Sequence, residues 1–458
     1  MPVNILSKDT SASVKELFIL TTPIFISLLS SNLMLFCDRY FLSRYSFEAF
    51  KAVGVASYLV ALFQIICIRF TTSNQVFVGT SFGNNSVGNI GIYTWQMIWA
   101  SLLSIFLTFP ISIVVEKLYF SNTEIRALGE AYFSIMMIGN FLFPLGTTLA
   151  AFFLGIGNTK VLSLVAFISN LLNAALDYCL INGIPKIFDP LGIKGAAIAT
   201  LISQGIYCTI LFFLFINHPN RKEYRTRDFY FRASFFKECF KVGTPNAISR
   251  LISLSFWALS MKIVASKGGD YITLISFGST ICLLISIVRE SISRGLMTFF
   301  SYFLGQNNWK YVWKSLRSGV ILLIVIFFLL ALPFIFYNDY LIEMVIGSKI
   351  TNIATMNLLR LACYWLWIFF LLEGIVFFII NLLMSMKETM YLLKINALMT
   401  YFTVYLPFYL GFGIGNLGAD KIWMITWINF IPPIYFYVSR IFKHYKNSMV
   451  SPSQKNFV

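Results

Sequence analysis

The sequence has little charge, almost no histidine, and no cysteines arranged for metal or disulfide chemistry. Only 12% of the 458 residues are charged, and His218 and His444 are the two histidines, whereas soluble domains average about 25% charged residues. The seven cysteines are scattered, mostly in apolar runs, without a CxxC pair or a Cys/His cluster. Neither a zinc site nor a disulfide framework is therefore expected. No Walker A loop is present, so direct ATP drive is not expected either.

Apolar residues dominate the sequence. They make up 58% of the chain, and the mean hydropathy is +0.76. This excess is too large for one water-soluble core. It excludes a soluble enzyme, a nucleic-acid-binding protein and a disordered chain, and it leaves a polytopic membrane protein. The formal charge of +16 is then explained by basic residues that hold loops in the cytoplasm, and we expect no nucleic-acid partner.

Twelve apolar runs are each long enough to cross a hydrocarbon layer of about 30 Å as a helix. They are longer than barrel strands and lack the alternation of barrel strands. The runs lie at 17–38, 53–80, 92–115, 128–152, 161–184, 192–217, 242–265, 272–303, 317–337, 355–384, 391–413 and 421–441. The prediction is an all-α polytopic membrane protein with twelve transmembrane helices.

The longest polar stretch separates the sixth run from the seventh and is rich in arginine and lysine. It predicts an N-terminal six-helix lobe at 1–217, a cytoplasmic basic linker at 218–236, a C-terminal six-helix lobe at 237–445 and a cytoplasmic tail at 446–458. With both termini in the cytoplasm, the cytoplasmic loops hold 19 of the 35 basic residues and the opposite loops hold 12. Without long tails or a targeting segment, we expect a bacterial inner (plasma) membrane location.

An internal repeat supports this division into two halves. At one ungapped offset of 222 positions, a series of residues of the first half, most of them polar, proline or glycine, meet identical residues in the second. The pairs include Lys15/Lys237, Glu16/Glu238, Phe18/Phe240, Thr22/Thr244, Pro23/Pro245, Gly83/Gly305 and Asn85/Asn307. Because six spans separate the repeats, both have the same orientation. Parallel repeats of this kind are a transporter architecture, in which the substrate path runs between the halves.

Two carboxylates lie in spans of the first half, where a charge is costly and so marks a functional candidate. Asp38 ends the first run. Asp177 follows Asn173 at i+4, so both share one helix face, and Asn170 is a further neighbour. Carboxylate and carboxamide oxygens are a suitable ligand set for Na⁺, and a buried carboxyl can instead carry a proton. The structural alternatives are an interfacial Asp38 paired with Arg39 and a polar network that joins helices around Asp177.

The membrane charges of the second half are mainly basic. Arg289, Glu290 and Arg294 lie within about one and a half helical turns, and Glu290 and Arg294 are spaced to neutralise each other. We treat these three residues, together with Arg69 of the first half, as candidates for a substrate cavity that attracts an anionic or zwitterionic compound. The alternative is an internal ion-pair network facing a wet cavity.

Several motifs resemble those of the multidrug and toxic compound extrusion (MATE) transporter family. The similarity covers nearly the whole first half and, more loosely, the second. The motifs are Thr22-Pro23 followed by Asp38, Gly83-Asn84-Asn85, Gly155-Ile156-Gly157-Asn158-Thr159-Lys160, Asn173-Ala174-Ala175-Leu176-Asp177-Tyr178, Leu191 through Thr200, Gly243-Thr244-Pro245 and Gly305-Gln306-Asn307.

The resemblance implies two six-helix lobes and the export of organic compounds, including drugs and other xenobiotics, in exchange for H⁺ or Na⁺. It implies a cation-coupling site at Asp38, Asn173, Asp177 and Thr200. Some family members have acidic cation-site residues in the C-terminal lobe, but the seventh span here has no carboxylate, so a site of that kind is not expected.

The resulting hypothesis is a secondary active antiporter, not an enzyme, that needs no cofactor beyond its coupling ion, H⁺ or Na⁺. We expect a monomer in the lipid bilayer that acts on a small organic substrate, with no metal other than a possible Na⁺ at Asp38, Asn173 and Asp177. The alternative is a flippase for an anionic lipid-linked saccharide or peptidoglycan precursor, which the intramembrane arginines would suit. A third class, a non-transporting scaffold or receptor, gives no reason for a paired carboxamide and carboxylate inside a span.

Overall fold

The computed structural model describes residues 6, 10–120, 126–347 and 352–449, and this part of the chain is helical throughout apart from loops and one isolated bridge between Ile184 and Phe188. The helices of the first half are α1 (Val14–Tyr45), α2 (Phe47–Thr71), α3 (Asn74–Gly83), α4 (Gly88–Phe120), α5 (Arg126–Ile138), α6 (Leu142–Gly155), α7 (Thr159–Asn182) and α8 (Ile193–Ile216).

The second half begins with α9 at Ala233, inside the stretch predicted as a linker. Its helices are α9 (Ala233–Ala265), α10 (Gly269–Gly305), α11 (Trp309–Ala331), α12 (Asn338–Ile346), α13 (Ile353–Ser385), α14 (Thr389–Met399), α15 (Leu406–Phe408), α16 (Ile422–Ile425) and α17 (Ile431–Met449). π-Helical turns follow α11, α14 and α15, one of them at Pro333 and two on either side of Pro407, where the missing proline N–H interrupts the α-helical hydrogen bonding.

Within the described residues, eleven helical segments are long and apolar enough to cross a membrane. The pair α5 and α6, bent by 43°, makes a twelfth if the two helices together form one broken span. The predicted all-α polytopic fold is therefore confirmed. Of the predicted tail, residues 450–458 lie outside the described residues, and the predicted lobe boundaries stay a prediction.

The internal repeat is visible in the helix boundaries. The apolar segments Phe47–Gly83 and Gly269–Gly305 are both 37 residues long and coincide at the offset of 222 positions. Asn85 and Asn307, which follow them, both have a positive φ, 59° and 55°. Asparagine tolerates the left-handed region better than most residues do, so both halves stop the equivalent span in the same way.

The helices belong to two compact units, one formed mainly by residues 22–247 and one by residues 9–21 with those from 248 onward. The long helix α1 passes from one unit to the other between Thr21 and Thr22, and α9 does so between Ala247 and Ile248. Both points lie within three residues of a repeat-related proline, Pro23 or Pro245. A proline inside a helix removes one backbone hydrogen bond and permits a kink.

In the first unit, α7 packs against α8, and small residues permit the close approach. A Cβ atom on Gly195 of α8 would overlap the backbone of Leu180 on α7. A buried apolar cluster that includes Leu42, Phe133 and Ile181 lies beside this helix pair. Leu42 and Ile181 each follow one of the two intramembrane aspartates by one helical turn, so this cluster flanks the aspartates with apolar side chains.

Candidate functional site

Three of the four predicted coupling residues come together in the first unit. Asp38 projects from α1, and Asn173 and Asp177 project from successive turns of α7. All three side chains are buried, with relative exposures of 6%, 0% and 0%. Ionisable side chains buried to this degree are almost always paired, so the contacts among the three determine what the site can hold.

Asn173 contacts both carboxyl groups. With its carboxamide nitrogen turned toward them, as the hydrogen bonding favours, Asn173 Nδ2 donates to Asp38 Oδ1 at 2.9 Å and to Asp177 Oδ2 at 3.3 Å. The carboxamide nitrogen therefore donates one hydrogen bond to each of the two carboxyl groups. Rotating it by half a turn would instead point an oxygen at the two carboxyl groups, because the nitrogen and oxygen exchange places.

The two carboxyl groups also lie close enough to interact directly with each other. Two ionised carboxylates have no donor between them, so this contact requires that one carboxyl carry a proton or that a cation lie between them. Asp177 Oδ1 is buried with no hydrogen-bond partner among the described residues. The site thus retains an acceptor position that a cation or a proton would fill.

Neighbouring side chains tie the site to three helices. Asn170 Nδ2 donates to Ser30 Oγ at 2.8 Å, which adds a second polar link between α7 and α1. Tyr132 of α5 is buried and lies close enough to interact electrostatically with both aspartates. No sequence pattern indicates Tyr132, because tyrosine is common in this chain and its position carries no motif.

Thr200, the fourth predicted coupling residue, is buried in α8, the helix that packs on α7. Its hydroxyl donates to the Ala196 carbonyl oxygen at 3.0 Å. This is the back-bond that threonine commonly makes inside a helix. A role for Thr200 in the coupling site therefore stays a prediction. Over the described residues, no group of three or more His, Cys, Asp or Glu side chains is placed to hold a metal ion.

A second charged cluster lies in the second unit. Arg289 Nε is 3.1 Å from Glu373 Oε2, and the Arg289 guanidinium carbon lies 3.7 Å from the centre of the Phe377 ring. The predicted pairing of Glu290 with Arg294 is present, at 3.1 Å. Glu373 and Phe377, both on α13, were absent from the predicted site. A lone glutamate inside an apolar span was the available signal for Glu373.

Arginines outnumber acids in this cluster. Arg250 of α9 interacts electrostatically with Glu373, so three arginines face two glutamates and leave a formal excess of one positive charge. Arg69, which was predicted to share a cavity with Arg289, Glu290 and Arg294, belongs to the other compact unit. There it lies in the last turn of α2, and its carbonyl oxygen accepts a hydrogen bond from Asn246 at 2.6 Å. A shared cavity stays a prediction.

A many-helix membrane fold with a buried acidic site and a sequence repeat defines the class of polytopic membrane transporters. The family model MatE matches residues 23–179 and 245–410, most of the chain and both of its halves. The chain belongs to the MATE family of transporters, and it is therefore a transporter and not an enzyme.

Curated relatives and solved structures agree with this assignment. A protein described as "Probable multidrug resistance protein NorM" from Thermotoga maritima is 25% identical over 70% of this chain and 69% of its own length. A protein of the same description from Listeria monocytogenes is 22% identical over 90% of this chain and 91% of its own length. An outward-facing multidrug resistance MATE family transporter superposes with a TM-score of 0.81 at 16% identity, covering 97% of this chain and 99% of that structure.

Proposed function

We propose that this chain is a secondary active antiporter that exports organic compounds, drugs among them, in exchange for inward-moving H⁺ or Na⁺. The observation that carries the proposal is the buried set formed by Asp38, Asn173 and Asp177. The relatives described as multidrug resistance proteins support the substrate class. We place the protein in a bacterial plasma membrane with both termini in the cytoplasm, as the distribution of basic residues favours.

In the proton mode, the site alternates between one shared proton and none. Two carboxylates in contact away from water repel each other strongly, so losing the proton destabilises the contact between Asp38 and Asp177. Because Asp38 is on α1 and Asp177 is on α7, deprotonation weakens the link between these two helices. The protonation state is thereby converted into a difference in helix packing.

In the sodium mode, the carboxamide of Asn173 turns its oxygen toward the carboxylates. The carboxamide of Asn173 lies 2.9 Å from Asp38 Oδ1 and 3.3 Å from Asp177 Oδ2. A small outward shift of the side chain therefore makes room for a cation among three oxygens. Oxygen ligands of this type hold Na⁺ in other transporter folds. The unpartnered Oδ1 of Asp177 provides a further ligand position. The same three residues thus serve either ion.

Antiport requires that the ion and the substrate favour different conformations. In this chain the helix that carries Asp38 also contains Pro23, which lowers the cost of bending α1. Ion binding holds α1 against α7, and ion release leaves α1 able to bend. We assign the substrate-releasing conformation to the ion-loaded site, because exchange then cannot proceed unless the ion enters.

The test is ethidium efflux from pump-deficient cells that express wild type, Asp177→Asn or Asp189→Asn. Asp189 is an exposed acid in the loop after α7, so its variant controls for the loss of one carboxylate. A proton gradient and a sodium gradient are imposed separately. Efflux by wild type and by the control that is lost in Asp177→Asn supports the proposal. The gradient that drives this efflux identifies the coupling ion. Equal efflux by all three proteins would contradict the assignment of the coupling site. No efflux from wild type that is well inserted in the membrane would contradict the assignment of drug export.

The excess positive charge around Arg289 favours a second candidate, translocation of an anionic lipid-linked saccharide or peptidoglycan precursor. Phosphate groups are bound preferentially by arginine. Purified protein in vesicles that contain a fluorescent lipid pyrophosphate sugar provides the test. Faster flipping by wild type than by Arg294→Gln, together with no ethidium transport, would replace the antiporter assignment with this one.

A further inference from the structure

The segment between the two halves, residues 217–232, is fastened along α4; we call it the strap. Gly91 N donates to Tyr224 O at 2.8 Å, and Trp95 Nε1 donates to Thr226 O at 2.8 Å. Trp99 Nε1 continues this row by donating to Phe229 O at 3.0 Å. Positions 91, 95 and 99 are successive turns on one helix face, so the strap follows α4 closely.

Gln96 binds the strap with both the nitrogen and the oxygen of its carboxamide. Its Nε2 donates to Tyr230 O at 3.1 Å, and its Oε1 accepts from Arg232 N at 3.0 Å. A Cβ atom on Gly91 would overlap the carbonyl oxygens of Tyr224 and Arg225, so only glycine permits this approach. The strap is an ordered part of the first compact unit and not a free connection.

This attachment sorts the strap's side chains into two faces. Tyr224 and Thr226 are buried against the helices. The outer face contains exposed aromatic residues, with Phe229 53%, Tyr230 68% and Phe231 55% exposed. It also contains exposed basic side chains. These are Arg221, Lys222, Arg225 and Arg227. The opposing acids are Glu223 and Asp228, and Asp228 is already paired with Arg232 at 2.6 Å.

The strap lies where membrane-spanning helices end. It connects the end of α8 at Ile216 to the start of α9 at Ala233, and it is bonded to the first three turns of α4. The 33 residues of α4 extend about 50 Å, well beyond a hydrocarbon layer of about 30 Å. We place the first turns of α4, and the strap beside them, at the level of the lipid headgroups, because the exposed charged residues of the strap are excluded from the hydrocarbon layer.

We propose that the strap is a binding site for the phosphate headgroup of an anionic phospholipid. Arg221, Lys222 and Arg225 supply the positive charge, and the rings at 229–231 lie among the headgroups, where aromatic side chains are favoured. Clusters of basic residues next to membrane helices attract anionic lipid. Here the backbone that carries them is already ordered by α4, so binding costs little additional conformational entropy. This site is separate from the acidic coupling site.

The test compares lipid binding by native mass spectrometry of the purified full-length protein. Delipidated wild type, Arg221→Gln/Lys222→Gln/Arg225→Gln and Lys310→Gln/Lys314→Gln/Arg317→Gln are titrated with phosphatidylglycerol or phosphatidylcholine. The second triple variant removes the same charge from exposed positions on α11. We expect the strap variant to lose at least about tenfold in phosphatidylglycerol affinity, with phosphatidylcholine binding unchanged and the α11 variant within about twofold of wild type.

Equal losses of phosphatidylglycerol affinity in both triple variants would show that only the net charge of the protein matters, and would overturn the proposal. An unchanged phosphatidylglycerol affinity in the strap variant would overturn it as well. Displacement of the lipid by millimolar inorganic phosphate would indicate a small-anion site and not a lipid site. If the triple variant does not purify, Arg221→Gln alone is used, because a single exposed side chain is then changed.

Discussion

Asp38 and Asp177 lie within membrane-spanning helices and share one hydrogen-bond donor, the carboxamide nitrogen of Asn173. Residues that act as one unit give strongly non-additive effects when they are replaced. This relationship determines how variants of the site will combine.

We expect Asp38→Asn and Asp177→Asn each to lower the initial rate of ion-driven efflux by at least about tenfold, with the double variant no worse than the more severe single. Asparagine keeps the shape and the hydrogen bonds but cannot release a proton. The measurement is dye efflux from proteoliposomes at equal protein incorporation. Multiplicative losses in the double variant would show that the two carboxyls act independently.

The close approach of the strap to α4 makes Gly91 intolerant of a side chain. Gly91→Ala should lower the thermal unfolding temperature in detergent and increase protease cleavage in residues 217–232, because the added methyl displaces Tyr224 and Arg225. Gly205→Ala is the control, since nothing lies within 4 Å of a Cβ atom there and alanine is favoured over glycine in a helix by up to about 1 kcal/mol. Similar unfolding temperatures for both variants would contradict the described attachment.

The pair Arg289 and Glu373 is buried, with side-chain exposures of 8% and 17%. Glu373→Gln leaves the guanidinium of Arg289 with the more distant Glu290 carboxylate, at 3.8 Å, and should destabilise the protein by up to about 3–5 kcal/mol, whereas Arg289→Gln/Glu373→Gln should recover part of that loss. Thermal unfolding ranks the variants. Arg360→Gln breaks the exposed pair with Asp339 and should have at most a small effect on the unfolding temperature. A double variant less stable than Glu373→Gln would show that the pair is not coupled in this way.

The strap should loosen in acid through His218. Burial lowers the pKa of this imidazole below its ordinary value of 6.5. In addition, His218 Nδ1 accepts the Asn220 backbone N–H at 3.2 Å while the ring stacks on Tyr224. The folded strap therefore binds a proton less well than the unfolded strap. Its stability is full above pH 6.5, the ordinary pKa of the imidazole, and falls as the pH decreases below that value.

Hydrogen exchange of peptides from residues 217–232, corrected for intrinsic rates, checks this expectation between pH 7.5 and pH 5. Wild type should lose protection in acid, and His218→Asn, whose carboxamide oxygen can still accept the Asn220 N–H, should lose less. The same pH dependence in both proteins would assign the effect to another group.

Much of the fold was predictable because it rests on long-range averages of composition. A span is defined by about 20 apolar residues whatever their order, and the offset that pairs Pro23 with Pro245 also aligns Phe47–Gly83 with Gly269–Gly305. Asp177 and Asn173 were predictable because one helix carries both at i+4 spacing. Their contact with Asp38 depended on the family resemblance.

Partners that arise only from packing were not predictable. Tyr132 approaches the aspartates from a separate helix, and Phe377 lies against Arg289 from another, without any local pattern to mark them. The strap was expected as a basic linker, but its order depends on Trp95, Gln96 and Trp99 of α4. In a sequence rich in aromatic residues, these side chains do not stand out.

The path of α1 between the compact units has a consequence for how the protein is made. Residues 12–21 leave the ribosome long before the residues that they contact: Gly295 packs on Thr21 and Leu17, and Ser318 donates to the Ala12 carbonyl. The beginning of the chain must therefore wait in the membrane, incompletely packed, until α10 and α11 have been inserted. Synthesis of the first half alone cannot finish the first helix, and the nascent chain depends on its own later segments to complete it.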